Sequence, residues 1–169
     1  MNNLKKAILL FFAISVLVSY YIVFKILYKK SNKSYIDHDF WFGLDKNLVK
    51  IIIVFQLIAL IGFITSVGYW INNSPQGGIM SKGDVLFYTL LAFFIGSIIW
   101  PFAVYYKKHI IVVLSLIIVA ISSILLLAGS VEEKNVKVNV VIGFLFLCIV
   151  TVLLDAVVWN ANYITKINM

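Results

Sequence analysis

Followed along its apolar and polar positions, the chain divides into five long apolar stretches separated by shorter polar ones. The stretches cover roughly residues 7–28, 49–71, 85–106, 109–130 and 138–164. Crossing about 30 Å of hydrocarbon takes about 20 apolar residues of helix, so each stretch predicts one membrane span. Within lipid every backbone N–H and C=O must be satisfied inside the segment, which favours helices over open strands. The expected fold is therefore all-α: one transmembrane domain, 1–169, built as a bundle of five helices. The N-terminus has the basic start of a signal peptide. Its apolar run, Ala7 to Phe24, is longer than a typical h-region and no A-x-A-like site follows, so it reads as a retained helix.

Two connections are longer than the rest. Residues 29–48, "KKSNKSYIDHDFWFGLDKNL", are charged and aromatic, and 72–84, "NNSPQGGIMSKGD", are turn-rich. The second ends in Ser81 and Asp84, a pair suited to capping the third helix.

Composition supports this pattern: 63% of residues are hydrophobic and 12% charged, against about a quarter charged in soluble domains. Mean hydropathy is +1.04. The net charge of +7 comes from lysines, since the chain has no arginine. Most lysines stand where apolar runs end, which reads as membrane flanking and not as a nucleic-acid surface. Cys148 is the single cysteine, so a disulfide framework or a cysteine metal cluster is not expected.

Lysine placement also predicts orientation. Lys5, Lys6, Lys82, Lys134 and Lys137 belong to the side of the N-terminus. Lys25, Lys29, Lys30, Lys33, Lys46, Lys50, Lys107, Lys108 and Lys166 belong to the other. The excess favours the N-terminus out and the C-terminus in. Two sequons, Asn32-Lys33-Ser34 and Asn72-Asn73-Ser74, fall on opposite sides and would serve as topology probes.

The last stretch contains "LCIVTVLLDAVVWNANYITK", with one acid, Asp155, among apolar residues. At 100° per residue Cys148, Thr151, Asp155, Trp159, Asn162 and Lys166 fall on one helix face. An ionisable group at this depth is costly unless it faces the bundle interior or a wet cavity. Two readings stay open: a structural residue bonding neighbouring helices, or a group facing a ligand or ion.

Depth suggests its neighbours. Asp155 lies roughly 13 Å from the Lys-rich surface, and Gln56, Ser115 and Trp100 roughly 9 Å from it on three other helices. Tyr20 and Tyr21 are at a similar level. The opposite half holds Thr65, Ser66, Ser122 and Ser123, each able to bond its own helix. A half-depth pocket results, with Asp155, Gln56, Asn162 and Ser115 as polar contacts and Trp100 and Trp159 as an aromatic wall. The competing reading is interfacial belt aromatics plus helix–helix glue. Pro101 predicts a kink in the third helix. Ala59, Gly62 and Ser66, Ala92 and Gly96, and Ser115, Ser122 and Gly129 form small-residue faces for helix association.

The chain has no Walker loop, no TVGYG filter, no HExxH and no Ser/His/Asp set at membrane depth. One carboxylate without a base, nucleophile or metal cluster points away from an enzyme. Asp37, His38 and Asp39 are adjacent in sequence and do not converge as metal ligands. The 35–44 segment reads instead as an aromatic-anchored interfacial loop suited to cover the pocket. His109 reads as a helix-start interface residue, and His38 and His109 are the two candidates for approaching a haem iron.

The segment "LLDAVVWNAN" resembles the fifth helix of the translocator protein family, the tryptophan-rich sensory proteins (TspO). That helix carries L-N-x-x-[VI]-W-x-x-N, matched here by Leu154, Val158, Trp159 and Asn162, with Asp155 replacing the first Asn. Ser97, Trp100 and the Tyr105-Tyr106 pair are similar to the family's third-helix N-x-x-W and aromatic pair. The first loop departs from the family's K-P-x-x-x-P-P, having no proline, and "LIGFITSVGYW" is only loosely like its second-helix motif. The resemblance implies a five-helix bundle, often dimeric, that binds porphyrins or sterols in a pocket open toward the first loop. Trp100, Asp155 and Trp159 would lie near that pocket.

The sequence thus suggests a multi-pass membrane protein binding a small hydrophobic or amphipathic ligand, porphyrin- or sterol-like, in the Lys-rich leaflet, with porphyrin or haem as a possible guest. Its partners would be the lipid bilayer, that ligand and a second copy or a membrane complex. The alternative is a non-catalytic structural or assembly subunit of a larger membrane complex or virion membrane. A carrier or pore would need polar residues continuing through the opposite leaflet, where they are sparse.

Overall fold

In the computed structural model residues 1–31, 39–41, 44–73, 75–133 and 136–167 are described, with 27, 28, 30, 31, 39 and 167 described for backbone only. Asp37, His38 and the first sequon lie outside these residues, as does Ser74 of the second. Helix α1 is Asn3–Ser31, α2 Lys46–Asn72, α3 Val85–Tyr105 and α4 His109–Glu132. The last span begins as α5, Val138–Cys148, widens into a π-helical segment, Ile149–Trp159, and returns to α-helix as α6, Asn160–Ile167. Short 3-10 turns at Asp39–Trp41 and Ile79–Ser81 interrupt the two longer loops. The chain is all-helical, with no strand among the described residues. Five helical stretches are long and apolar enough to cross a membrane, the architecture of a multi-pass integral membrane protein.

The surface is inverted relative to a soluble protein. Leu10, Phe11, Ile14 and Leu17 of α1 are exposed, as are Ile51, Val54, Leu57 and Ile61 of α2. Lipid is as apolar as these side chains, so exposure carries no penalty and burial little reward. Helix α3 is the most enclosed, packing against α1 and α4. The Phe93 ring of α3 lies 4.9 Å from Phe63 of α2, centroid to centroid. Pro101 is buried within α3. It has no N–H to offer the Ser97 carbonyl one turn back.

With little hydrophobic drive between spans, close backbone approach and interhelical hydrogen bonds hold them together. Gly62 of α2 meets Gly143 of α5, where a Cβ on Gly62 would come within 2.8 Å of the Gly143 Cα. Ser66 donates across the same seam to the Val140 carbonyl at 3.0 Å, while Thr65 bonds its own helix at Gly62 O. A Cβ on Gly96 would stand 3.1 Å from the Ser115 carbonyl, and Gly129 lies under Met80. The small-residue faces therefore serve contacts inside the bundle. Gly143 is the partner that spacing alone did not reveal.

The two ends sort as the five-span pattern requires. At the N-terminal side Glu133 is 6% exposed and accepts from the Trp70 indole at 3.1 Å and from the Gln76 backbone N–H at 3.0 Å. Glu132 accepts from the Ile79 N–H at 2.9 Å, so two carboxylates fasten the 75–84 loop. The expected Ser81/Asp84 cap does not form. Asp84 stands at the N-cap position of α3 with no side-chain cap bond, and its carboxylate pairs instead with the Lys5 ammonium. Its backbone (φ −106°, ψ 16°) is not the extended conformation that aims a capping side chain at the first turn. The Ser81 hydroxyl donates back to the Gly78 carbonyl at 2.9 Å. The cap that does form is Asp45, which accepts from the N–H groups of Asn47 and Leu48 at the start of α2.

Candidate functional site

The Lys-rich end is built on the unusual middle of the last span. A π-helix pairs residue i with i+5 and occurs mostly as single turns, often at functional sites. Here the Asn160 N–H reaches the Asp155 carbonyl five residues back. Among the buried residues of this span one row recurs every four positions, Leu147, Thr151, Asp155, Trp159 and Tyr163, with Val150 buried beside it. A step of four overshoots the 3.6-residue α turn and falls short of the wider π turn, so a π segment flanked by α-helix keeps the row nearly straight. The face expected from a uniform 100° step is corrected accordingly. Thr151, Asp155 and Trp159 are on it, but Cys148 and Asn162 are half-buried, Lys166 is exposed, and Leu147 and Tyr163 take their places.

From Thr151 onward the row meets α4, α2, α3 and then α4 again. Thr151 bonds the Ser123 hydroxyl of α4 at 2.6 Å and returns its own proton to the Leu147 carbonyl at 2.9 Å. Asp155, 9% exposed, accepts from the Gln56 amide of α2 at 3.5 Å, at the outer limit of a hydrogen bond. Trp159 meets Trp100 of α3 edge-to-face at 5.2 Å and stacks on Tyr163 at 5.0 Å. The Tyr163 hydroxyl bonds His109 Nδ1 at the start of α4.

The first loop reaches into this assembly. Phe40 and Trp41, each 3% exposed, are as buried as core residues. The Phe40 ring lies 5.3 Å from Trp100, 5.6 Å from Trp159 and 5.1 Å from Phe24, and Tyr20 lies 5.9 Å from Trp100. Two donors of the last span hold the turn by its backbone: Trp159 Nε1 to the Phe40 carbonyl at 3.1 Å, and Asn162 Nδ2 to the Trp41 carbonyl at 3.3 Å.

The structure joins Asp155 to Gln56 and Trp100 to Trp159, and sets Asn162 against the loop. Ser115 is buried but donates to the Val112 carbonyl of its own helix at 2.9 Å, so its hydroxyl is satisfied away from Asp155. Tyr21 is exposed, its ring carrying the Lys25 ammonium 5.3 Å from the centroid. Phe40, Trp41 and Tyr163 went unselected. The four-residue spacing through Tyr163 was a signal available in the sequence, whereas the core-like burial of Phe40 and Trp41, in a loop expected as an interfacial cover, was not.

Two polar atoms within the bundle stand out. Trp100 Nε1 and Asn160 Oδ1 are buried without a hydrogen-bond partner among the described residues. An unpaired buried donor of this kind costs about 1–3 kcal/mol. Among the described residues no group of three His, Cys, Asp or Glu side chains is placed to hold a metal ion. Comparison with protein-family models, curated proteins and solved structures finds no match for this chain.

Proposed function

We propose that the protein binds a small hydrophobic or amphipathic molecule with a flat, ring-rich body, porphyrin- or sterol-like in shape, at the Lys-rich end of the bundle. The observation that carries this reading is the Trp100 indole N–H, 3% exposed and without an acceptor, in a wall of aromatic rings. A ligand oxygen or nitrogen would satisfy it. The Phe40 side chain packs against that wall from a loop, not from a helix, so it can be exchanged for another ring system without disturbing the spans. The helix-5 and helix-3 resemblance to the translocator protein family points to the same residues and the same end.

The test is a titration of the full chain in lipid nanodiscs with protoporphyrin IX and with cholesterol, read by tryptophan emission against empty discs. Saturable binding is expected to at least one. Phe40→Ala should tighten it several-fold by removing the competing ring. Trp100→Phe should weaken it by about tenfold, corresponding to one buried hydrogen bond. Absence of saturable binding in parent and Phe40→Ala proteins alike would sink the proposal and leave the structural-subunit reading, in which the aromatic cluster is packing alone.

A further inference from the structure

The polar groups at this site are unbalanced in a way that speaks to ligand chemistry. Asp155 offers carboxyl oxygens, and the donor that meets it is the neutral Gln56 amide at 3.5 Å. Gln56, having turned Nε2 toward Asp155, keeps its carbonyl oxygen as an acceptor. Asn160 Oδ1, one residue beyond Trp159, is a buried acceptor with no donor among the described residues. Among the described residues no Lys, His or terminal amine forms an ion pair with Asp155; the pair that is formed, Lys5 with Asp84, belongs to the other end. Lys50, Lys107, Lys108 and Lys166 are exposed at the rim. Around Asp155 the site thus offers carboxyl and amide oxygens and, among the described residues, no cation, while the unpaired Trp100 N–H stands among the rings further out.

One turn from Asp155 toward the Lys-rich surface the environment becomes aromatic. Trp159, Trp100, Phe40 and Tyr20 form a connected set of rings with centroids 5.2 to 5.9 Å apart. Ring faces attract cations, tryptophan most strongly, and more so where water is excluded. A carboxylate held in lipid depth without a positive partner is costly, and a protonated amine would offset that cost with its charge and an N–H donor for the waiting oxygens. An anionic head group at the same depth would meet Asp155 with repulsion.

Resting on the ligand-binding reading above, we propose that the molecule taken here is a lipophilic amine. Its ring-rich body would take the place of the Phe40 ring against Trp100 and Trp159, and its protonated nitrogen would meet Asp155 and Gln56. Selectivity for the positive charge then resides in Asp155, and affinity for the body resides in the rings.

The test uses a matched pair of probes on the full chain in phosphatidylcholine nanodiscs, by equilibrium dialysis with empty discs subtracted. The probes are N,N-dimethyl-(2-naphthylmethyl)amine and its uncharged carbon isostere, 2-isobutylnaphthalene. The parent protein should bind the amine about tenfold or more tighter than the isostere, a difference in line with a desolvated cation–π and ion-pair contact. Asp155→Asn should reduce that ratio to about twofold or less while isostere binding persists, and Asp155→Glu should restore most of it. Equal binding of both probes by the parent overturns the amine assignment and leaves hydrophobic binding standing. Failure of these probes, of protoporphyrin IX and of cholesterol to bind removes both readings. If Asp155→Asn does not fold, the parent's amine-to-isostere ratio decides alone.

Discussion

At the end that carries Lys5, the 75–84 loop is tied down by carboxylates. Glu133 holds the Trp70 indole and the Gln76 N–H, Glu132 holds the Ile79 N–H, and Lys5 pairs with Asp84. At the other end the Asp39–Trp41 turn is held by rings, with two hydrogen bonds from Trp159 and Asn162 to its carbonyls. The difference is one of replaceability. A carboxylate gripping backbone N–H groups is directional and charge-assisted, and nothing apolar can substitute for it. Ring-on-ring packing is weakly directional, and another flat apolar body satisfies the same walls. One closure is a fastening and the other an occupancy.

Four substitutions test that contrast, from the largest expected effect to the smallest. Glu133→Ala strips the buried Trp70 indole and the more exposed Gln76 N–H of their acceptor and should destabilise the bundle by about 2 kcal/mol, measured by steric trapping or graded SDS unfolding. Amide exchange should rise across Gln76–Met80. Little change would mean that the carboxylate end is no firmer than the aromatic one. Trp159→Phe keeps a ring against Trp100 and Phe40 but deletes the bond to the loop carbonyl. A cost of about 1 kcal/mol is expected, with faster exchange confined to the first loop. If protection is instead lost throughout the bundle, the turn is an integral part of the core.

Lys107→Gly acts on the corner between α3 and α4. Lys107 has φ 55°, and the Lys108 N–H reaches the Ala103 carbonyl at 2.9 Å, closing α3 with a Schellman-type turn. Left-handed backbone is strained for a side chain with a Cβ and free for glycine. A gain of up to about 1 kcal/mol is expected, and a loss would contradict that backbone geometry. Lys5→Ala removes an ion pair whose side chains are 26% and 46% exposed. It should cost no more than about 0.5 kcal/mol, and less in high salt. A larger effect would show that the fastening extends beyond Glu132 and Glu133.

The five spans and their ends were legible in the sequence because hydropathy over twenty residues is set by the solvent, here lipid, and hardly depends on tertiary detail. The Asp155–Gln56 pairing was also legible, since alternating spans fix the depth of every residue and polar groups at one depth seek each other. The insertion of Phe40 and Trp41 was not, because hydropathy scores an interfacial anchor and a buried plug alike. The Glu132–Glu133 grip was missed for a related reason. Acids at a helix end look solvated until a loop folds over them, and the loop's backbone N–H groups leave no mark in the sequence. The π-helical ladder escaped a fixed 100° template, although the four-residue recurrence from Leu147 to Tyr163 carries its signature.

That ladder also bears on how the last span matches the thickness of a bilayer. Val138–Lys166 is 29 residues long, whereas α3 spans with 21. As uniform α-helix the longer segment would extend about 43 Å, well beyond a hydrocarbon layer of about 30 Å. Coiling Ile149–Trp159 with more residues per turn makes the rod shorter and stouter. The chain thus takes up part of its surplus length by girth, leaving less for tilt to absorb than a uniform helix would. The same eleven residues rewound as α-helix would lengthen the rod without adding an atom, and would swing Trp159 and Tyr163 off the line they share with Asp155.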